Sequence, residues 1–233
     1  MNVEESPMVS CIMPTYNRRA FVPYAIQYFL RQDYPQKELI IIDDGTDKIE
    51  DIVPENSLIR YYRLENKISV GAKRNFCNNE SKGDIIMHWD DDDWYSSKRI
   101  SYQMNALLKE QSEICGINNL LYLDLLNKNA YMYVYQPGQR TWLAGSSMCY
   151  FKRLWENNKF DEINVGEDGL FIWRVSSKQI TVLSDITISI HTIHDNNVCP
   201  KNPTEKSWSI YSVDKIKKIV GEDWMFYMSD SFK

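Results

Sequence analysis

Four consecutive carboxylates, Asp90, Asp91, Asp92 and Asp93, are the strongest chemical signal in the chain. They follow the apolar run at residues 85–87 and His88, so they stand where a buried strand would end. Adjacent acids repel one another, and a bound divalent cation, which takes hard oxygen ligands and often bridges to substrate phosphates, offsets that repulsion. The pattern predicts a metal-dependent site for a phosphate ester, with a solvated acidic turn as the alternative.

The composition is that of an ordinary soluble protein. With 233 residues, 43% hydrophobic and 25% charged, the chain can bury one good core in a single domain. The formal net charge of -5 disfavours a broad basic surface, so no nucleic-acid partner is expected. A local basic pocket for the phosphates of a nucleotide is compatible with that charge.

Cysteine usage and hydropathy indicate a cytoplasmic protein. The five cysteines are odd in number and contain no C-x-x-C pair, which disfavours both a disulfide framework and a zinc site. No signal peptide precedes Met8, and the apolar stretch at residues 120–126 is interrupted by Asp124 and falls short of the ~20 residues of a membrane-spanning helix. A peripheral contact with the inner face of a membrane stays open.

Strands and helices alternate through the first hundred residues, which predicts an α/β fold whose mostly parallel sheet has helices on both faces. The expected strands cover residues 8–13, 38–42, 59–63 and 84–88. The expected helices follow residues 14–17 and cover residues 70–80 and 97–110.

Beyond residue 112 the pattern changes. Strands at 114–126 and 130–135, joined at Asn127-Lys128-Asn129, predict a hairpin. Further expected elements are a strand at 147–151, a helix at 167–176, strand material at 180–190 and a helix at 208–220. The tail at 224–228 is expected to pack as a terminal helix, with a dimer contact or a shallow membrane-surface foot as alternatives.

Polar clusters follow three of the expected strands. They are Pro14-Thr15-Tyr16-Asn17-Arg18, Asp43-Asp44-Gly45 and the four aspartates at 90–93. In an open parallel sheet, ligands bind beyond the carboxyl ends of the strands. The three clusters are therefore expected to form one site.

These motifs resemble the inverting family 2 glycosyltransferases, which have the GT-A fold. The likeness spans about residues 8–175 and is carried by P-T-Y-N-R, I-I-D-D-G, G-A-K-R-N, W-D-D-D-D-W and G-E-D-G-L-F-I-W-R in the family's order. It implies a Rossmann-like three-layer fold with a mixed C-terminal half. It also implies one domain over residues 1–233, in which 8–112 bind the nucleotide sugar and 113–233 form the acceptor-binding half and a C-terminal helix.

The resemblance assigns a donor-binding role to individual residues: Pro14, Thr15, Tyr16, Arg18, Asp44, Lys73, Arg74, Asp91 and Asp92. Asp44 would accept a hydrogen bond from the imide N–H of uracil, which favours a UDP-linked donor. Lys73 and Arg74 would approach the base or the diphosphate. The alternatives are a simple strand-ending turn at Asp44 and an exposed basic pair at the helix start.

A divalent metal, Mn or Mg, is the cofactor that the resemblance implies. Its ligands would be Asp91, Asp92, Asp93 and His194, with the register inside residues 90–93 open by one position. Such a metal bridges diphosphate oxygens and neutralises the charge that builds on the departing nucleoside diphosphate. His88, inside its strand, is expected to pack or to support the site.

Inversion at the anomeric carbon requires a base that takes the proton of the acceptor hydroxyl. The resemblance places that base at Glu167-Asp168, and Asp168 is preferred, with Glu167 binding acceptor hydroxyls or acting as the base itself. The alternative is an acidic pair that stabilises a helix N-terminus. Gly145, in the segment at 142–147, would allow close backbone approach beside the acceptor.

Three tryptophans in the second half, Trp142, Trp155 and Trp173, could stack on the C–H face of an acceptor sugar. Large aromatic residues more often fill cores, so a core position is expected for each unless exposure is shown.

The sequence therefore favours a metal-dependent transferase that moves a sugar from a nucleotide donor to a glycan or lipid-linked acceptor in surface-polysaccharide or glycoconjugate biosynthesis. A nucleotidyltransferase and a non-catalytic nucleotide-sugar-binding domain are the alternatives.

Overall fold

A computed structural model describes residues 6–227, which form two β-sheets and the helices that pack on them. The strands are β1 Val9–Thr15, β2 Lys37–Asp43, β3 Ile59–Arg63, β4 Ile85–His88, β5 Trp94–Tyr95, β6 Ile114–Gly116, β7 Leu120–Asp124, β8 Ala130–Tyr133, β9 Cys149–Phe151, β10 Ile180–Val182, β11 Ser189–Ile193 and β12 Trp208–Tyr211. The helices are α1 Val22–Leu30, α2 Val70–Glu80, α3 Arg99–Lys109, α4 Lys152–Glu156, α5 Glu167–Trp173, α6 Val213–Val220 and α7 Trp224–Tyr227. Short 3-10 turns lie at Glu50–Ile52, Gly145–Ser147, Ser177–Gln179, Ile186–Ile188 and Gly221–Asp223.

The large sheet has seven strands in the order β10-β6-β9-β4-β1-β2-β3. β1 pairs in parallel with β2 and β4, and β2 pairs in parallel with β3. β9 runs antiparallel to both of its neighbours, β4 and β6. The mostly parallel α/β sheet predicted from the alternating elements is confirmed.

Both faces of the large sheet are buried. Met13 and Ile41 belong to the core on the side of α1, whereas Ile12 and Ile40 belong to the core that contains Cys77 of α2. Because neighbouring residues of a strand point to opposite faces, a strand covered on both sides has no polar position to alternate with. This explains the nearly continuous apolar runs of β1 and β2.

The second sheet has five strands in the order β12-β8-β7-β11-β5. The predicted hairpin at 127–129 is confirmed, since β7 and β8 pair antiparallel and Asp124 Oδ1 accepts hydrogen bonds from Leu126 N and Asn127 N at 3.0 and 2.9 Å. β5 pairs antiparallel with β11, with Trp94 opposite Ile190. The short β5 therefore joins the segment that follows β4 to the second sheet.

Two of the predicted elements are wrong. The single strand expected at 114–126 is two strands in different sheets, because Ile117 leaves β6 to hydrogen-bond the 142–147 segment: its N–H donates to Ser147 Oγ at 3.0 Å and its carbonyl accepts from Ala144 N at 2.8 Å. The helix expected at 208–220 begins only at Val213, after Ser212 caps it. Residues 208–211 instead pair with β8.

Several boundaries also differ from the expected ones. The strand material expected at 180–190 divides into β10 and β11, and the helix expected at 167–176 ends at Trp173. The tail packs as expected, because Phe226 and Tyr227 of α7 are buried and Tyr227 Oη lies 3.0 Å from Tyr28 Oη. Residue 228 lies outside the described residues.

Membrane and redox features can be read from the described residues. Between residues 6 and 227 no helix is both long enough and apolar enough to cross a bilayer. The five cysteine thiols are free, four of them buried and Cys199 exposed.

Ile41 and Ile210 form a matched pair for testing the core. Ile41 of β2 is 0% exposed and Ile210 of β12 is 88% exposed. Ile41→Val should lower the free energy of unfolding by about 1 kcal/mol because it leaves a small cavity between sheet and helix. Ile210→Val should change it by less than about 0.5 kcal/mol. Urea unfolding measures both, and equal effects would contradict the assigned position of β2.

Candidate functional site

A cavity of about 850 Å³ opens at the carboxyl ends of β1 and β4. Its lining residues lie within the segments 14–18, 67–74, 90–93, 142–146, 164–168, 191–192 and 196–201, and Leu120 and Tyr122 of β7 complete them. Most of the predicted site residues line it, namely Pro14, Thr15, Tyr16, Arg18, Lys73, Arg74, Asp91, Asp92, Asp93, Glu167 and Asp168. Asp44 and His194 are not among the lining residues and stand behind its wall. Two of the three polar strand ends thus face one cavity, and the third supports it.

The acid loop (residues 90–93) is fixed through Asp93, whose two carboxylate oxygens are both held by β11. Oδ2 lies 2.6 Å from His191 Nδ1, and Oδ1 accepts a hydrogen bond from Thr192 N at 3.1 Å. Thr192 Oγ1 donates to the carbonyl of Asp92 at 2.8 Å. Asp93 was predicted as a metal ligand, but these bonds make it an anchor between the loop and the second sheet.

Asp92 faces the cavity with its carboxylate oriented from behind by His194. The two side chains meet at 3.0 Å between Asp92 Oδ2 and His194 Nε2. His194 Nδ1 accepts a hydrogen bond from Asn196 N at 3.2 Å, so Nε2 is the ring nitrogen that can donate to Asp92. Burial opposes ionisation, yet the His194 hydrogen bond and nearby Arg18 lower the pKa of Asp92.

The other two acids each face an arginine. Asp90 Oδ1 lies 3.6 Å from Arg74 Nη2, and Asp91 Oδ1 lies 3.6 Å from Arg18 Nε. Burial raises the pKa of Asp90 to about 7, and burial together with Asp92 raises the pKa of Asp91 to about 8. The repulsion among the four acids is therefore relieved by separate protein partners and by raised pKa values.

Lys73 and Asp44 form a buried ion pair beneath the wall of the cavity that contains Tyr16. Lys73 Nζ donates to Asp44 Oδ1 at 2.6 Å and to the carbonyl of Thr15 at 2.9 Å. Ile68 N donates to Asp44 Oδ2 at 2.8 Å, and the Asp44 side chain is 0% exposed. Both Asp44 oxygens thus have protein donors, and Asp44 does not line the cavity, while its contact with uracil stays a prediction.

Tyr16 adds a flat aromatic surface to the same side. Lys67, which the sequence reasoning missed, places its Nζ 3.8 Å from the Tyr16 ring centroid. Arg18 lies deeper and donates through Nη2 to the carbonyl of Asn196. Arg18, Lys67, Lys73 and Arg74 make this wall basic.

Glu167 is tied to Arg74, so the two neighbouring acids of the predicted catalytic pair differ in their surroundings. Arg74 Nη1 lies 2.7 Å from Glu167 Oε1, and both side chains are 6% exposed. Burial raises the pKa of Glu167, although Arg74 opposes that shift. Gly71 allows this pairing, because a Cβ there would lie 1.8 Å from the carbonyl oxygen of Asp161 in the loop before α5.

Asp168 extends to the turn at Gly145–Ser147. A Cβ on Gly145 would lie 2.2 Å from Asp168 Oδ2, so the close approach expected at Gly145 is made by the candidate base itself. The carbonyl of Gly145 accepts a hydrogen bond from His88 Nδ1 at 2.6 Å, which gives His88 its supporting role. Burial and the neighbouring Arg74 hold the pKa of His88 well below its usual value, although the hydrogen bond to the Gly145 carbonyl opposes that shift.

Arg99 and Gln103 support this turn from α3, and the sequence reasoning missed both. Arg99 Nη2 donates to the carbonyls of His88 and Ser146, each at 2.8 Å, and Gln103 Nε2 donates to the carbonyl of Ser147 at 2.8 Å. Arg99 Nε also donates to Gln103 Oε1 at 2.9 Å. The available signal was two polar residues four positions apart on the otherwise apolar buried face of α3.

The residues of the cavity can be tested for a metal. Within residues 6–227, no three His, Cys, Asp or Glu side chains stand together as a ready-made metal group. Mg²⁺ and similar cations, however, are often held by one or two carboxylates together with substrate phosphates and water. Asp90 and Asp92 have the more exposed side chains of the acid loop, at 31% and 15%, against 8% for Asp91 and 7% for Asp93. These two carboxylates fit such a cation.

Solved structures with a similar fold include glycosyltransferases. Residues 1–349 of S. aureus TarS in complex with UDP superpose with a TM-score of 0.66 at 22% identity, over 80% of this chain and 61% of that one. The Pyrobaculum calidifontis mannosyltransferase PcManGT, in complex with GDP-Man and Mn²⁺, gives 0.66 at 14% identity over 84% and 59% of the two chains. The predicted GT-A fold is confirmed.

Residues 10–165 match the family model of glycosyl transferase family 2, and the chain belongs to that family. Its curated relatives include the putative colanic acid biosynthesis glycosyl transferase WcaA of Escherichia coli K12, 34% identical over 104 residues, which are 42% of this chain and 37% of the relative. An uncharacterized glycosyltransferase of Haemophilus influenzae is 32% identical over 108 residues, 44% and 43% of the two chains. The chain thus spans less than half the length of these two relatives.

The buried pair of Asp44 and Lys73 gives a stability test. Asp44→Asn should lower the free energy of unfolding by about 3 kcal/mol, because it leaves the Lys73 ammonium buried without a counter-charge. Adding Lys73→Met should recover much of the loss, since both buried charges are then gone. Asp51→Asn, which removes an exposed partner of Arg19, is the control and should change little. Urea unfolding is the measurement, and a fully stable Asp44→Asn protein would show that Asp44 is not the support described.

Proposed function

We propose that the protein is an inverting glycosyltransferase that moves a sugar from a nucleoside diphosphate donor to a hydroxyl of a glycan or lipid-linked acceptor. One observation carries the proposal. The carboxylate of Asp168 meets Gly145 in the same cavity that holds the acid loop and a wall of basic side chains. That arrangement supplies a base on one side of a bound sugar and positive charge for the leaving diphosphate on the other.

In the proposed reaction, Asp168 accepts one proton. The acceptor hydroxyl oxygen attacks the anomeric carbon from the face opposite the diphosphate and gives its proton to Asp168. The bond between the anomeric carbon and the phosphate oxygen breaks, and the nucleoside diphosphate departs with the electron pair. The contact between Glu167 and Arg74 supports Asp168 over Glu167, because the Glu167 carboxylate is already occupied by a buried arginine at 2.7 Å.

The donor wall fits a nucleoside diphosphate. The ring of Tyr16 offers a stacking face for the base, and Arg18, Lys67 and Arg74 provide positive charge for the phosphates, whereas the Lys73 ammonium is held by Asp44. We favour UDP because structures of the similar protein TarS contain UDP and UDP-GlcNAc. The similar PcManGT instead holds GDP-Man, which makes GDP the nucleotide to compare.

We propose Mn or Mg as the cofactor and revise its ligands to Asp90 and Asp92. Asp93 is occupied by β11, and Asp91 is the less exposed neighbour. His194, predicted as a ligand, would orient Asp92 through their hydrogen bond. A bound divalent metal would neutralise charge on the diphosphate oxygens. The similar PcManGT is in complex with Mn²⁺, which supports the proposal.

Surface-polysaccharide assembly is the setting we propose. The similar proteins WcaA of Escherichia coli and TuaG of Bacillus subtilis carry names that refer to colanic acid and teichuronic acid biosynthesis. The proposal includes a cytoplasmic location with a peripheral membrane contact, and a division of the chain into a donor half at 8–112 and an acceptor half from 113. Family membership favours transfer over the nucleotidyltransferase alternative.

Asp168→Asn tests the base. The substitution should lower the rate of sugar transfer by about 10²- to 10⁴-fold, because an amide cannot take the proton. The rate at which water hydrolyses the donor should fall by a similar factor. Affinity for the nucleoside diphosphate should stay unchanged. Asp161→Asn, at an exposed ion pair with Arg174, is the matched control and should retain activity. Turnover is measured as released nucleoside diphosphate. Unchanged turnover in Asp168→Asn would contradict the assignment.

Calorimetric titration tests the donor and the metal. UDP, GDP, CDP and dTDP are titrated into metal-free protein and again with excess Mn²⁺. One nucleotide should bind and should bind more tightly with the metal. Asp92→Asn and Asp90→Asn should remove the gain from Mn²⁺, whereas Asp91→Asn should keep most of it.

The titration and the turnover assay together separate the transferase from a non-catalytic binding domain. A non-catalytic binding domain would bind the nucleotide but release no diphosphate from a nucleotide sugar. If no nucleotide binds with or without the metal, the transferase proposal is overturned.

A further inference from the structure

The three tryptophans expected in the acceptor half have different surroundings. Trp155 is 4% exposed and donates through Nε1 to Asn75 Oδ1 at 2.9 Å, which makes it a core residue as expected. Trp173 is 41% exposed but does not line the cavity. Trp142 is half-buried and lines the cavity that holds Asp168. Of these three, Trp142 therefore presents a surface to the site.

Neighbouring aromatic rings hold the Trp142 indole in place. Tyr135 stacks on it with ring centroids 5.2 Å apart and an interplanar angle of 28°. Tyr133 packs edge-on at 6.2 Å and 73°. Tyr135 is itself fixed, because its hydroxyl donates to the carbonyl of Arg140 at 2.7 Å. With rings on two sides, the indole is a pre-positioned surface, and little conformational entropy is lost when a ligand covers it.

The indole N–H of Trp142 is available to a ligand. The indoles of Trp89, Trp94 and Trp155 each donate to a protein acceptor, at 3.0, 2.7 and 2.9 Å. Among residues 6–227 no acceptor takes the hydrogen bond of Trp142 Nε1, and that nitrogen is not among the buried unpaired atoms. Tryptophan N–H groups usually find a partner when a surface is covered. A ligand hydroxyl would provide it.

The surroundings of Trp142 combine apolar and polar groups. Leu120 and Tyr122 of β7 line the same cavity. Asp168, which lies against Gly145, lines it as well. The Tyr16 ring and Arg18 belong instead to the segment after β1, and Lys73 and Arg74 belong to α2. A pyranose suits such a place, because it has an apolar C–H face and hydroxyls at its edge.

We propose that Trp142 forms the platform of an acceptor subsite that binds a pyranose residue. The C–H face of the sugar lies on the indole, one hydroxyl accepts from Nε1, and the hydroxyl that attacks the donor points to Asp168. The inference rests on the proposed glycosyl transfer for the role of the sugar as acceptor. Trp142 is then a specificity-determining residue of the acceptor side.

Saturation-transfer NMR of the full chain tests the subsite. The probes are methyl β-D-glucopyranoside, methyl β-D-galactopyranoside, methyl α-D-mannopyranoside and methyl N-acetyl-β-D-glucosaminide, each added with UDP and Mn²⁺. At least one should receive saturation at its ring C–H protons. Trp142→Ala should weaken that signal by about fivefold or more, because the stacking face is gone. Trp142→Phe keeps a smaller face and should retain part of it.

Controls separate this inference from the proposed function. Trp173→Ala removes a tryptophan outside the cavity and should leave the sugar signal unchanged. UDP affinity, measured by calorimetry on the same samples, should be equal in wild type and Trp142→Ala, which also shows that the variant is folded.

Three outcomes would overturn the subsite. They are a full sugar signal in Trp142→Ala, no signal from any glycoside in a wild-type protein that binds UDP, or a parallel loss of UDP affinity in folded Trp142→Phe. The last would make Trp142 a donor contact. Absence of UDP binding by the wild type would instead contradict the proposed donor site. The sugar signal and its loss in Trp142→Ala would still test whether Trp142 binds a pyranose.

Discussion

The attachment of Asp93 to β11 is the constraint on which the site depends. Strand β4 of the large sheet ends at His88, and the chain crosses to the second sheet to form β5 from Trp94. Asp93 fixes that crossing, because both of its carboxylate oxygens are hydrogen-bonded to His191 and Thr192. With one acid used as an anchor, the neighbouring acids are held at the mouth of the cavity in a defined orientation. The carboxylate of Asp93 thus positions the acid loop through its hydrogen bonds to β11.

The same principle recurs around the cavity, where buried charged side chains hold backbone segments. Arg99 ties the end of β4 to the turn at Gly145–Ser147, and Arg74 holds Glu167 at the start of α5. A buried ion is costly unless it is paired, so each of these contacts favours one arrangement strongly over its alternatives. Asp168 gains its position from both, since it follows Glu167 and rests against Gly145.

The sequence predicted best what local pattern controls. β3 and α2 were predicted with the observed boundaries, because a short β-rich run and a Ser69-capped helix are specified by neighbouring residues. β12 was missed, since it exists through pairing with β8 across about 75 residues of chain. The site follows the same division. The motifs identified the residues that surround the cavity, but whether Asp44 faces a ligand or Lys73 depends on a partner 29 positions away.

The two sides of the cavity are built by different interactions, and this bears on how specificity can change. The side that contains Tyr16 rests on buried ion pairs such as Asp44 with Lys73, and loss of either partner leaves an uncompensated charge. The side that contains Trp142 rests on aromatic packing with Tyr133 and Tyr135, where a substitution that conserves volume costs less. Change should therefore be tolerated more readily on the Trp142 side than among the charges. Under the proposed function, a chain of this family would vary its acceptor on the Trp142 side while the charged side chains proposed for the diphosphate stay in place.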